Sequence, residues 1–278
     1  MYKYYACLPE KNTIGWLMTS SGIDLRLRRL SGPGRRFFLL ALDHGLPAGP
    51  MPGIERPAEL VTRLRGSPVT GIVANPGILS ILARNARPDV GLVAHLSAGT
   101  LLGSRPTSKV LATSVERGVA LGADAISVQI HFGDRDEDRM VADAGAVVDD
   151  ATRLGTPTLV MAHARSSPGT PSLDPMTTRH AVRAAAELGA TLVQTSFEGE
   201  REDLASLVSG CPAPLLFAGG PRTSSEATLS FMQTAMAAGA AGVSVGRSLF
   251  QHPDPLSFAK AIGEVVLGNR RASVPEVS

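Results

Sequence analysis

Eight short apolar runs recur along the chain, at 37–42, 71–74, 91–96, 125–130, 158–162, 191–195, 214–218 and 242–245. They are rich in Val, Ile and Leu and lack a clean polar alternation, the pattern of strands covered on both faces. Helical apolar spacing follows over 109–121, 177–188 and 224–238, and each of these stretches stops at a glycine, Gly122, Gly189 or Gly239. Glycine just past a helix supplies the left-handed cap, and in each case the next apolar run starts within a few residues. Strand, helix and strand in this rhythm make parallel βαβ units. Eight units in one chain, with no Gly-x-Gly-x-x-Gly after the first run, predict an α/β fold of the (β/α)₈ TIM-barrel type rather than an open doubly wound sheet.

A barrel of this type takes about 250 residues, so 278 residues leave room for a short extension. The expected organisation is an N-terminal extension over residues 1–35, the barrel over 36–270 and a tail over 271–278. The extension holds an Arg-rich amphipathic turn at 25–30 and then Ser31-Gly32-Pro33-Gly34. Such a segment either covers the N-terminal face of the barrel or makes a subunit contact.

Aromatics are only 4% of the chain, so the core must be aliphatic. A net charge of +2 is too small to argue for a nucleic-acid or membrane surface. No apolar stretch reaches the ~20 residues of a membrane span. The N-terminus lacks the basic, apolar and small-residue sequence of a signal peptide. Cys7 and Cys211 do not make a disulfide framework. A soluble cytoplasmic protein is expected.

In a TIM barrel the chemistry sits at the C-terminal ends of the strands. Four of the six histidines, His44, His95, His131 and His163, fall at the ends of apolar runs. Asp43 follows the first run, Ser97 the third, and Gln194 lies in the sixth. Gly219-Gly220 and Gly246-Arg247 follow the last two runs. Paired glycines there let backbone N–H groups approach a phosphate, and an arginine adds a charged fork. Gly219, Gly220, Gly246 and Arg247 are therefore candidate phosphate-binding residues, with His95 and Ser97 as further substrate contacts.

These motifs resemble those of the archaeal-type class I fructose-bisphosphate aldolase and 2-amino-3,7-dideoxy-D-threo-hept-6-ulosonate synthase family. The resemblance is carried by Ala41-Leu42-Asp43-His44-Gly45, Gly49-Pro50 and Gly53-Ile54-Glu55, then His95-Leu96-Ser97 and Gly122-Ala123-Asp124-Ala125. It continues through Glu187-Leu188-Gly189-Ala190, Ala218-Gly219-Gly220-Pro221, Val245-Gly246-Arg247 and Phe250-Gln251-His252. The resemblance implies a homo-oligomer and a phosphorylated small-molecule substrate. It also implies carbon–carbon bond chemistry through an imine on a lysine of the sixth strand, assisted by a first-strand aspartate and a fifth-strand tyrosine. Asp43 matches the aspartate. The lysine falls on Gln194, which forms no imine, and the tyrosine falls on His163. Where the family usually reads His-x-Asn on the fourth strand, this chain reads Gln129-Ile130-His131.

The chain has four lysines, Lys3, Lys11, Lys109 and Lys260. Lys109 alone lies near a strand end. It is expected to open the helix after the third strand and so not to replace the missing amine. What the departures add is imidazole, which serves as acid, base or ligand near neutral pH.

Three readings follow. The first is an aldolase-like enzyme that enolises a phosphorylated ketone without an imine or any cofactor. In it Asp43, His131 and His163 are the acid–base groups, and Gln194 helps to polarise the carbonyl. The second holds Zn²⁺ on His131 and His163, with Asp43 or His95, although no close ligand spacing supports it. The third is a non-catalytic sugar-phosphate binder, a sensor or partner subunit.

Overall fold

The computed structural model describes residues 21–85, 89–172, 174–197, 199–219 and 224–268. Eight parallel strands close on themselves in chain order. They are β1 (Phe37–Ala41), β2 (Gly71–Ala74), β3 (Gly91–His95), β4 (Ala125–Phe132), β5 (Thr158–Ser167), β6 (Leu192–Thr195), β7 (Leu215–Ala218) and β8 (Gly242–Val245). β1 pairs with β8 in the register Phe37↔Gly242, which shuts the barrel. The architecture is the TIM barrel that the eight runs predict.

Two strands outrun their apolar runs. β4 continues to Phe132 and β5 to Ser167, and the register carries His131 opposite His163. Beyond the barrel rim β5 turns back on Thr170–Pro171 as an antiparallel extension. Polar residues ended the expected strands at 130 and 162, but backbone pairing between β4 and β5 is indifferent to side-chain polarity and continues past them.

The helices Pro175–Glu187 and Ser225–Ala237 form where expected. Each is capped at its start by a side chain: Asp174 accepts from the Met176 and Thr177 amides, and Ser224 from Ala227. Gly122, Gly189 and Gly239 take φ values of +86°, +93° and +99°, the left-handed conformation that the cap requires.

The expected helix over 109–121 is shorter. Only Val115–Ala120 is helical, started by the Ser114 hydroxyl on the Arg117 amide. The preceding Val110–Leu111 pairs antiparallel with Ser97–Ala98 instead. Lys109 therefore enters a hairpin over the end of β3, and the expectation that it opens a helix is corrected.

Alternation along the strands separates two cores. Phe37, Leu39, Val73, Val93, Ala125, Leu159, Met161, Leu192 and Leu216 fill the barrel interior. The alternate residues face the surrounding helices. The interior is closed from below by the helix Ser21–Leu30, which adds Ile23, Leu27 and Leu30 to it. Leu30 lies so close to β3 that a Cβ at Gly91 would stand 2.6 Å from its Cδ2. Arg29 pairs with buried Asp124 at 3.1 Å, and Asp124 accepts the Leu92 amide at 2.9 Å. Arg26 reaches the Gly155 carbonyl at 3.0 Å. This helix thus leaves the opposite, C-terminal mouth as the open end. No helix among the described residues is long and apolar enough to cross a membrane.

Candidate active site

The inward-facing rows change character toward the mouth. Phe37 and Leu39 are followed on the same side by Asp43; Val93 by His95; Ala125 by Ser127, Gln129 and His131; Leu159 and Met161 by His163 and Arg165; Leu192 by Gln194; and Gly242 by Ser244. A period of two carries each strand from aliphatic plug to polar rim.

His95 is buried and tied through Nδ1 to the Ser127 hydroxyl at 2.8 Å. Burial pushes its pKa down, Asp43 pulls it back, and Lys109 and His44 add to the fall. The Ser97 hydroxyl accepts the Gln129 amide at 2.9 Å, and Asn75 donates to the His95 carbonyl at 3.0 Å. His95 and Ser97 are thus fixed in the wall below the mouth.

His131 and His163 stack across the β4–β5 pair with centroids 5.4 Å apart and planes 25° from parallel. Arg165 lies two residues beyond His163 on the same face and donates through Nε to His131 Nδ1 at 2.9 Å. A guanidinium only donates, so Nδ1 presents its lone pair and the proton of the neutral ring sits on Nε2. The Gln129 side-chain nitrogen stands 3.1 Å from that nitrogen; two donors cannot face each other, so the amide is assigned the flipped orientation, in which its oxygen accepts the His131 Nε2 proton. Both nitrogens of His131 are therefore engaged. Burial, with His163, Arg165 and Lys109 nearby, lowers its pKa to about 2. His163 falls to about 4, through burial first and then the Arg165 charge, with Asp43 working in the opposite direction. Both rings are neutral at pH 7.

Asp43 and His44 lie at the top of β1, with Asp43 Oδ1 3.5 Å from His44 Nδ1. The His44 ring meets Phe250 edge-on at 5.4 Å. It also covers Gly246, where a Cβ would stand 2.3 Å from its Cε1. No described residue hydrogen-bonds Asp43 Oδ1, His44 Nδ1, Gln194 Oε1 or Ser244 Oγ, although all four atoms are buried. Buried polar atoms are rarely left so, and these four converge on the mouth from β1, β6 and β8. Gln194 itself is 6% exposed.

Beside Asp43 and His44, Gly219 follows β7, and Gly246 precedes the short helix Arg247–Phe250. The two loops touch: a Cβ at Gly219 would meet Val245 Cγ1 at 3.0 Å and Ser248 Oγ at 3.2 Å. The Leu249 and Phe250 amides bond the Gly246 carbonyl at 2.9 and 3.0 Å; the amides before them have no acceptor within their own helix. Arg247 is exposed at this edge. Gly220 lies outside the described residues.

Two residues were not among the candidates drawn from sequence. Arg165 had a legible signal, since it shares the face of His163 at a spacing of two. Lys109 had a partial one, its place near a strand end, but it was set aside because a helix was expected to begin there, and its actual position depends on the hairpin. It is 7% exposed, and its ammonium donates to the Pro106 carbonyl at 3.1 Å. Burial lowers its pKa, Asp43 opposes this, and Arg165 reinforces it. Its charge is in turn felt at His95, His131 and His163.

Comparison with known proteins agrees with this fold. The family model described as DeoC/LacD family aldolase matches residues 37–252. The chain is 36% identical over 245 residues to a 2-amino-4,5-dihydroxy-6-oxo-7-(phosphonooxy)heptanoate synthase of Streptomyces griseus, covering 87% of this chain and 89% of the relative. It is 36% identical over 249 residues to a 2-amino-3,7-dideoxy-D-threo-hept-6-ulosonate synthase of Halobacterium salinarum, covering 90% and 93%. Among solved structures, an archaeal fructose-1,6-bisphosphate aldolase with its catalytic Lys bound to a carbinolamine intermediate superposes with a TM-score of 0.80. The two are 29% identical, and the match covers 88% of this chain and 99% of that one. The chain belongs to the DeoC/LacD family of aldolases.

Proposed function

We propose that this chain is a lyase acting on a phosphorylated ketose or ketone, and that it enolises the substrate without a lysine imine. The observation that carries this reading is Gln194. It points inward at the mouth end of β6, buried, with its amide oxygen unpaired and no amine to offer. In the reaction His163 takes the proton from the carbon beside the carbonyl, and the electron pair moves onto the carbonyl oxygen. Asp43 exchanges the second proton, and Gln194 contacts the carbonyl or the adjacent hydroxyl. The phosphate rests on the loops of Gly219, Gly220 and Gly246, with Arg247 at the rim.

His131 is a positioning residue in this scheme, since Arg165 and Gln129 occupy its nitrogens. The same occupation argues against Zn²⁺ on His131 and His163: a guanidinium holds the lone pair that a metal would need.

The test uses dihydroxyacetone phosphate in heavy water, followed by NMR and, separately, borohydride trapping with mass spectrometry. Proton exchange without a reduced adduct is the expected result. An adduct on any lysine overturns the imine-free mechanism. Binding with neither exchange nor carbon–carbon cleavage leaves the non-catalytic sugar-phosphate binder in its place.

A further inference from the structure

We propose that Lys109 is the electrophile of this site, a buried ammonium that pairs with the oxygen of the enediolate in place of a covalent iminium. The inference rests on the enolisation reading and deepens it. Removing a proton beside a ketone leaves a full charge on the carbonyl oxygen, and an iminium would have absorbed that charge as neutral enamine. Without the imine a fixed cation has to meet it.

Among the described residues the mouth offers few cations for the task. His131 and His163 are neutral at working pH. The Arg165 guanidinium turns Nε and one Nη onto the His131 lone pair, which orients it along the β4–β5 stack. Arg247 stands exposed at the rim. Lys109 is 7% exposed and held by the hairpin of Ser97–Ala98 and Val110–Leu111. Its main chain is anchored by Arg139, which donates to the Lys109 carbonyl at 3.1 Å. Its side chain runs over Gly99, where a Cβ would stand 3.2 Å from Cδ and 3.3 Å from Nζ, so glycine there leaves the amine its path. Among the described residues its one hydrogen-bond acceptor is the Pro106 carbonyl, and none of their carboxylates forms an ion pair with it. The ammonium thus retains protons for a ligand.

The step balances without a further reactant. The proton on carbon passes to His163, the carbon–hydrogen electron pair becomes the carbon–carbon double bond, and the carbonyl electron pair moves to oxygen. That oxygen accepts a hydrogen bond from Lys109 Nζ, and no bond forms between nitrogen and carbon.

The experiment measures two affinities on the full chain, for the enediolate analogue phosphoglycolohydroxamate and for inorganic phosphate, in the native protein, Lys109→Met and Lys109→Arg. Solvent proton exchange of dihydroxyacetone phosphate is followed alongside. Lys109→Met is expected to lose roughly 10²–10³-fold in analogue affinity and in exchange rate, with phosphate affinity within about twofold of native. Lys109→Arg is expected to recover most of the analogue affinity. It is also expected to move the alkaline limb of the exchange profile to higher pH, because arginine stays charged where lysine deprotonates; that shift also decides the matter if the methionine variant fails to fold. A native ratio of the two affinities in Lys109→Met, an alkaline limb unmoved in Lys109→Arg, or a borohydride adduct on Lys109 overturns the assignment. A native chain that exchanges no proton removes the enolisation reading, while the affinity ratio still decides whether Lys109 meets the ligand's oxyanion.

Discussion

His163 combines three properties at one position: it faces inward, it is neutral above about pH 4, and it stacks on a second imidazole already satisfied by Arg165 and Gln129. A neutral imidazole can accept a proton at once. A pKa of about 4, set first by burial and then by the Arg165 charge, makes it a weak base in the free protein. His163→Ala is expected to lower turnover by about 10²–10⁴ while leaving phosphate affinity near native, because the phosphate loops follow β7 and β8. Turnover and phosphate binding measured separately check this; unchanged turnover removes His163 as the base. His131→Ala carries a different expectation, since it frees the Arg165 guanidinium and so changes the position of Arg165 as well as the stack.

The helix Ser21–Leu30 decides which end of the barrel is available for chemistry. Its isolated propensity is modest, because ten residues are too few for an independent helix. Its stability comes from Ile23, Leu27 and Leu30 entering the barrel interior, and from Arg29 on Asp124. Leu27 is fully buried. Leu27→Ala is expected to destabilise the fold by about 2–5 kcal/mol, the transfer and cavity terms together. Urea unfolding followed by circular dichroism measures it. A loss under about 0.5 kcal/mol, no more than ordinary surface changes give, would mean that the helix rests on the barrel without closing it.

Across the whole molecule the polar rim couples folding to acidity. His163 is lowered from 6.5 to about 4, so the folded state resists its protonation. A histidine with a depressed folded pKa contributes stability that is complete above its unfolded value and is lost as pH falls from about 6.5 toward 4. The loss from His163 is at most about 3 kcal/mol, less in proportion to its partial exposure, and His131 adds to it in the same direction. Native protein is expected to show a lower urea midpoint at pH 4.5 than at pH 7, with the gap narrowed in His163→Gln. Equal gaps in the two proteins would remove His163 as a source of the acid sensitivity.

Strand identity, strand order and the three glycine-stopped helices were legible in the chain, because burial on both faces and left-handed caps leave local marks: unbroken aliphatic runs and Gly122, Gly189 and Gly239. The inward direction of Asp43, His131, His163 and Gln194 was legible too, since strand alternation is a property of spacing. Three features took tertiary structure. The lengths of β4 and β5 come from backbone pairing that continues through polar residues. The neutrality of His131 and His163 comes from burial and from the field of Arg165, which no local pattern encodes. The position of Lys109 comes from an antiparallel pairing between segments twelve or more residues apart. Helical spacing at 109–121 argued for the other outcome, and the long-range ladder together with the Ser114 cap overrode it by starting the helix six residues later, at Val115. Local periodicity determined the scaffold, and contacts between distant segments decided which charges meet at its mouth.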